Sequence, residues 1–161
     1  MKKYLKLVSA ALALIGVVMM FFTQVTVEMG QTGKINIGLP ALVGGEYSKQ
    51  YGLSCNGVGS GLAGYILLGV GAVIMLAVAL VPYFKEHDML SAVVTGLAVI
   101  CVIIGFILLF LIRKNFEAAN GMGGTAGTVY VGWAAIAGGS LGALSTLAGG
   151  VSIIFDVSGS N

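Results

Sequence analysis

Residues 129–155 read VYVGWAAIAGGSLGALSTLAGGVSIIF, apolar almost from end to end and built from very small side chains. A hydrocarbon core of about 30 Å needs roughly 20 helical residues, so this stretch is long enough to cross a bilayer. Lipid supplies no apolar force that drives helices together, and close backbone approach over small residues takes its place. A spacing of four puts Ala134, Gly138 and Gly142 on one stripe, and Ala135, Gly139 and Ala143 on the next. The two stripes form a wide flat face on which other helices can lie, and the chain reads as a membrane bundle organised around it.

Composition supports that class. The mean hydropathy is +1.03. Only 9% of the 161 residues are charged, against about 25% in soluble domains. The formal net charge of +2 and the lack of a long basic run exclude a nucleic-acid partner held through its phosphates. With 26 glycines and 2 prolines, the chain suits closely packed helices better than a disordered low-complexity segment.

Three further apolar stretches precede the first one discussed. Lys2, Lys3 and Lys6 introduce an unbroken run from Leu7 to Phe22. It has the outline of a signal peptide, but no small-x-small pair follows it, and it is read as an uncleaved first span over about 4–22. Residues 61–81 form a second span, lightened by Gly64 and Gly71, and the Pro82–Asp88 turn is short enough to force the next helix back alongside. The third helix, 89–119, carries Ala92 and Gly96 at a spacing of four. Its pattern runs past the apolar part through Arg113 and Lys114 to Asn120-Gly121, a stop signal. That helix is expected to project about two turns beyond the bilayer.

Between the first two spans lies a polar interval, 23–60. Val25, Val27 and Met29 alternate with polar residues, as do Ile35, Ile37 and Leu39. Period two on either side of Gly30-Gln-Thr-Gly33 predicts a β-hairpin. An isolated hairpin is marginal in water, so it must lean on a third strand, on the loop before the fourth helix, or on a neighbouring subunit. Residues 41–60 read as irregular. A loop over 120–128 then leads to the fourth span, 129–155, with Tyr130 and Trp133 as its interfacial anchors and Asp156–Asn161 as a polar tail.

The expected fold is therefore a single membrane domain of the all-α class. It is a four-helix antiparallel bundle with a small extracytoplasmic β element between helices 1 and 2. The leading lysines place the amino terminus, and with four crossings the carboxyl terminus too, in the cytoplasm. The Met-Lys-Lys opening and compact loops suit a bacterial plasma membrane.

Chemistry is sparse. Every Asp, Glu, Lys, Arg and His is assigned to a terminus or loop, and none to mid-span, where proton relays and ion pathways keep theirs. This weighs against a proton-coupled pump and against a rotary-ATPase proteolipid, which needs a mid-membrane carboxylate. Lys85-Glu86-His87-Asp88 reads as a solvated turn, Cys101 as a small core residue, and Cys55 as a loop thiol that is free or linked to another chain. No catalytic, metal or cofactor residue is assigned.

The order of parts resembles the claudin-like tetraspans: short cytoplasmic amino terminus, first outer loop forming a sheet, tight inner turn, outward-extending third helix, small-residue-rich last helix. The resemblance covers nearly the full chain. Of the signature in the first loop, Gly52-Leu53-Ser54-Cys55 keeps a fragment, without the tryptophan or a second loop cysteine. It transfers no functional residue and implies only that the outer hairpin and loops mediate lateral or partner contacts.

The function expected from these features is a non-enzymatic membrane interaction or assembly protein. Its partners are the lipid bilayer and further copies of itself or another membrane protein, met through the glycine faces and the outer β loop. The alternative is an oligomeric pore or small-molecule transporter.

Overall fold

A computed structural model describes residues 2–29, 33–48, 53–122 and 128–158. Four helices are long and apolar enough to cross a membrane: α1 (Lys2–Val18, extended by a 3₁₀ turn over Met19–Phe21), α3 (Gly59–Leu80), α5 (Asp88–Phe110) and α7 (Trp133–Ser158). Each packs on two neighbours, α1 on α3 and α7, and α5 on α3 and α7, so the four close into a square. Between them run β1 (Val25–Met29), β2 (Gly33–Ile37), the helical turn α2 (Pro40–Val43), β3 (Gly45–Ser48), β4 (Leu53–Cys55), the short α4 (Tyr83–Glu86), α6 (Ile112–Ala119) and β5 (Thr128–Val131).

The square closes because its facing positions are small. An added Cβ on Gly64 would lie 2.9 Å from the Gly105 carbonyl, and one on Gly105 would lie 2.8 Å from the Gly64 carbonyl, so α3 and α5 meet backbone to backbone. A Cβ on Gly138 would sit 3.3 Å from the Gly16 carbonyl, so α7 also meets α1 over backbone, though less tightly. Larger side chains fill the centre: Tyr65, Leu68, Met75 and Val102 are at most 1% exposed. The outer surface carries Ile66, Val73, Ile100 and Ile154, all more than half exposed, as a lipid-facing surface requires.

The predicted hairpin forms, although Gly30–Thr32 of its turn lies outside the described residues. β1 pairs antiparallel with β2 in the register Val25↔Ile37 to Met29↔Gly33. The support it needs comes from the loop before the fourth helix: β5 pairs with the other side of β1, Val25↔Val131 to Glu28↔Thr128, giving the order β2-β1-β5. Period two then sorts the faces. Val25, Val27, Ile37 and Val129 are buried on the bundle. On the opposite face, Thr26 Oγ1 meets Asn36 Oδ1 at 2.8 Å and the Tyr130 hydroxyl donates to Glu28 at 3.2 Å.

This corrects the expected start of the fourth span. Val129 to Val131 are strand, and the helix begins at Trp133. The joint is held by backbone bonds from Gly132 N to the Gln24 carbonyl (2.7 Å) and from Ala134 N to the Thr23 carbonyl (3.1 Å). A Cβ on Gly132 would collide with the Thr23 carbonyl and the Gln24 backbone. Tyr130 therefore lies in the sheet and not at the head of the helix, whereas Trp133 is half exposed at the first helical position, 5.4 Å from the Phe22 ring.

The described residues within 41–60 are more regular than expected. Pro40 opens a helical turn that ends at Gly44, whose φ of +83° suits glycine. β3 and β4 then form a second antiparallel ribbon with a register shift between Glu46 and Ser48. The third helix extends outward with a break at Leu111, where the chain passes from α5 into α6. Phe116 is fully buried, and its helix packs on β5, α3 and α5. Asn120 Oδ1 accepts from Asn56 N at 2.7 Å while Asn56 Nδ2 donates to the Ala119 carbonyl at 3.0 Å.

Candidate functional site

Among the described residues the buried charges lie at the end of the bundle opposite the sheet, here the turn end. Lys6 is 4% exposed and Asp156 1%. Lys6 Nζ lies 2.6 Å from Asp156 Oδ2. It also donates to Ser91 Oγ at 2.6 Å, and Ser91 Oγ donates on to Asp156 Oδ2 at 3.1 Å. The triangle ties α1, α5 and α7 together.

Lys6 was expected in the leading basic cluster, at the edge of a first span over about 4–22, and Asp156 in a polar tail beyond the fourth. The structure overturns the placement of Asp156: α7 runs on to Ser158 and carries it inward on its packed face. At 1.5 Å per residue Lys6 stands about 6 Å inside the start of α1, so the pair belongs to the membrane's edge, and mid-span remains free of charge among the described residues. Each charge opposes its own helix dipole, a cation near an N-terminus and an anion near a C-terminus. Antiparallel pairing repairs this, because each also faces the favourable end of its neighbour.

One turn further along α1 and three turns back along α7, Ser9 and Ser145 clasp each other. Ser9 Oγ lies 2.6 Å from the Ser145 carbonyl and 2.8 Å from Met75 Sδ, and Ser145 Oγ donates to the Ser9 carbonyl at 2.8 Å. Ser152 Oγ turns back to the Gly149 carbonyl at 2.7 Å. At the sheet end the corresponding closure is uncharged: Tyr65 donates to Gln24 Oε1 at 2.8 Å, and Gln24 Nε2 donates to the Met19 and Phe22 carbonyls.

Above the charge triangle a cavity of about 260 Å³ opens. Lys3, Lys6, Asp88, Ser91 and Asp156 supply its polar wall, and Val78, Ala79 and Phe84 its apolar wall. All four crossing helices thus contribute to it. The carboxylate of Asp156 is half used, since Oδ1 is buried and has no hydrogen-bond partner among the described residues.

The small residues singled out from the sequence are placed as follows. Ala134, Ala135, Gly138, Gly139 and Gly142 are buried on the inner face of α7, while Ala143 is half-buried. Cβ atoms on Gly139 and Gly142 would meet the Phe110 ring at 3.0 Å and Leu68 and Phe106 at 2.9 Å. Gly71 faces Val102 and the Ala98 carbonyl, Gly64 faces Gly105, and Ala92 is buried. Gly96 is half-buried and a Cβ there would meet nothing within 4 Å. The face is thus occupied within the chain by α1, α3 and α5.

His87 is exposed and stacks on Tyr83 at 4.4 Å. Cys55 and Cys101 are both free thiols. Cys55 is buried, with its Sγ 3.3 Å from the Pro40 carbonyl, and burial raises its pKa above the ordinary 9.0. No cluster of three metal-ligating side chains occurs among the described residues.

Lys6, Ser91 and Asp156 escaped sequence reasoning, yet α7 carried a signal for one of them. Steps of three and four from Gly138 through Gly142, Ser145, Gly149 and Ser152 arrive at Asp156. No family model, curated protein or solved structure matches this chain.

Proposed function

We propose that this integral membrane protein is a non-enzymatic interaction or assembly subunit, with both termini on the cytoplasmic side. The observation that carries this reading is the division between a bundle sealed by its own side chains and an outer module with open strand edges. The centre is filled by Tyr65, Leu68, Met75 and Val102, so one copy offers no lumen. Outside the spans, β2 and β5 are the edge strands of the three-stranded sheet among the described residues, with α6 packed against β5, and β3–β4 forms a separate ribbon. Unpaired strand edges are templates for another chain. In its order of parts this design resembles the claudin-like tetraspans. Because the glycine face of α7 is spent on α1, α3 and α5, contact with another copy or another membrane protein passes through the sheet edges and outer helix faces.

The test is extraction in mild detergent followed by particle imaging and mass measurement. Complexes or self-assemblies that dissolve when β2 is blocked by Ile35→Pro support the reading; solitary chains throughout sink it. The turn-end cavity favours a second reading, a small-molecule transporter or an oligomeric pore. Liposomes carrying the purified protein leak solute under that reading and stay tight under the first.

A further inference from the structure

We propose that the Lys6–Asp156 pair is a gate, and that parting it opens the turn-end cavity into a hydroxyl-bearing interior that stops at the packed centre of the bundle. The device belongs to the bundle itself and stands under either reading of the protein's role. Among the described residues eight polar or charged side chains are buried, and of these Gln24 alone lies at the sheet end. The rest run from the turn end to the middle of α7. Behind the charge triangle come Thr95, Ser152, Ser9 and Ser145, and each bonds a backbone carbonyl. Thr95 and Ser152 turn to carbonyls of their own helices, those of Ser91 and Gly149, while Ser9 and Ser145 each take the other's. A hydroxyl keeps both a donor and acceptor lone pairs, so each can turn to water without stranding itself. Leu68, Met75 and Val102, which fill the centre beyond, offer water no such partner.

The pair is built to part. The cavity ends against it, with Lys6, Ser91 and Asp156 in its wall, so solvent has only this contact to pass. Asp156 spends Oδ2 on Lys6 and Ser91, and its other oxygen, Oδ1, is buried without a donor. An unmatched buried acceptor is costly, the more so when charged. Water that follows the parting supplies the missing donor, so the closed state carries a penalty that the open state lacks. Stability alone does not account for the pair, because two apolar residues of similar volume would hold the helices at least as well, whereas a switch needs charges that can be separated. The moving part is the turn end of α1. Lys6 sits on it, and its partners sit on α7 and α5. Farther along, α1 meets α7 over backbone at Gly16 and Gly138, and Gln24 holds its far end through Tyr65 and the Met19 and Phe22 carbonyls. The helix swings about that glycine contact.

The experiment uses the full chain in phosphatidylcholine nanodiscs, with Cys55→Ala and Cys101→Ala as background. A single cysteine is introduced behind the gate by Ser9→Cys or in the packed centre by Val102→Cys, both at fully buried positions. Labelling by a small charged thiosulfonate is timed. A local opening predicts that Ser9→Cys reacts at least about tenfold faster than Val102→Cys. The double change Lys6→Met, Asp156→Leu shuts the contact and brings Ser9→Cys down to the Val102→Cys rate. Ser91→Ala removes one arm of the triangle, leaves the pair, and raises the Ser9→Cys rate severalfold while Val102→Cys stays unchanged. That second variant decides the matter should the double variant lose its helical circular dichroism. Equal rates at the two positions with the pair intact, a Ser9→Cys rate unmoved by Ser91→Ala or by the folded double variant, or two rates that rise and fall together overturn the proposal.

Discussion

The two ends of this bundle face the same difficulty and meet it differently. Where apolar helices stop, polar groups must be matched or left in water. At the sheet end the matching is done by backbone and neutral side chains. β5 runs into α7 through bonds to the Thr23 and Gln24 carbonyls, and Tyr65 and Gln24 close the space behind them. At the turn end it is done by a buried ion pair, Lys6 and Asp156, on the first and last crossing helices. Neutral closure distributes the load over many weak bonds. Ionic closure concentrates it in one contact whose loss strands a charge. The comparison predicts unequal fragility.

The largest effect belongs to the turn end. Asp156→Ala leaves Lys6 buried without its partner and should cost about 3–5 kcal/mol, whereas the double change Lys6→Met, Asp156→Leu should recover most of the loss, because two apolar residues need no matching. Denaturant titration in detergent micelles measures both. Equal losses in the single and double variants would mean that the pair contributes nothing through its charge.

Next come the helix contacts shared by both ends. A Cβ on Gly71 would lie 2.5 Å from Val102 Cγ2 and 2.9 Å from the Ala98 carbonyl. Gly71→Val should therefore destabilise by about 1–3 kcal/mol through overpacking. Gly96→Ala, with nothing within 4 Å, should instead gain up to about 1 kcal/mol from helix propensity. Comparable losses at the two glycines would contradict the packing described.

At the sheet end Tyr65→Phe removes one hydroxyl from a neutral network. The loss should be about 1–3 kcal/mol, because the buried Gln24 Oε1 loses its donor, short of the Asp156→Ala effect under the same titration. A larger loss would make the neutral closure the more fragile one.

The smallest effect is read as a rate. Burial holds the Cys55 thiol above its ordinary pKa of 9.0, so the folded chain carries less thiolate than the unfolded chain at any pH below that raised value. The resulting contribution to stability is complete below that ordinary value and is lost as pH rises through the folded one. In a Cys101→Ala background, maleimide should label Cys55 more slowly folded than denatured from pH 7 to 9. Equal rates would place the thiol in the open.

Much of the architecture was legible because it depends on local chemistry. The four long apolar runs and the alternation at Val25-Val27 and Ile35-Ile37 depend on composition and period alone. So does the stop at Asn120, although the side chain's bond to Asn56 does not. The second ribbon was missed because β4 has three residues, too few for a period to register. Tyr130 was misplaced because a strand that feeds directly into an apolar helix has no polar break to mark the junction. Asp156 was misread for the opposite reason: a charge after an apolar run looks like the end of a span.

What the amino-acid sequence alone determined is that this chain crosses a membrane four times with a β element between the first two crossings. Hydrophobic length and side-chain period are properties of a segment, and a segment carries them without its neighbours. The tertiary structure decided which neighbours consume the glycine face of α7, where the hairpin finds its third strand, and that Lys6 meets Asp156 across the bundle. Those are pairings between residues as much as 150 positions apart, fixed only when the helices close around a common centre and each buried polar group must find its match there.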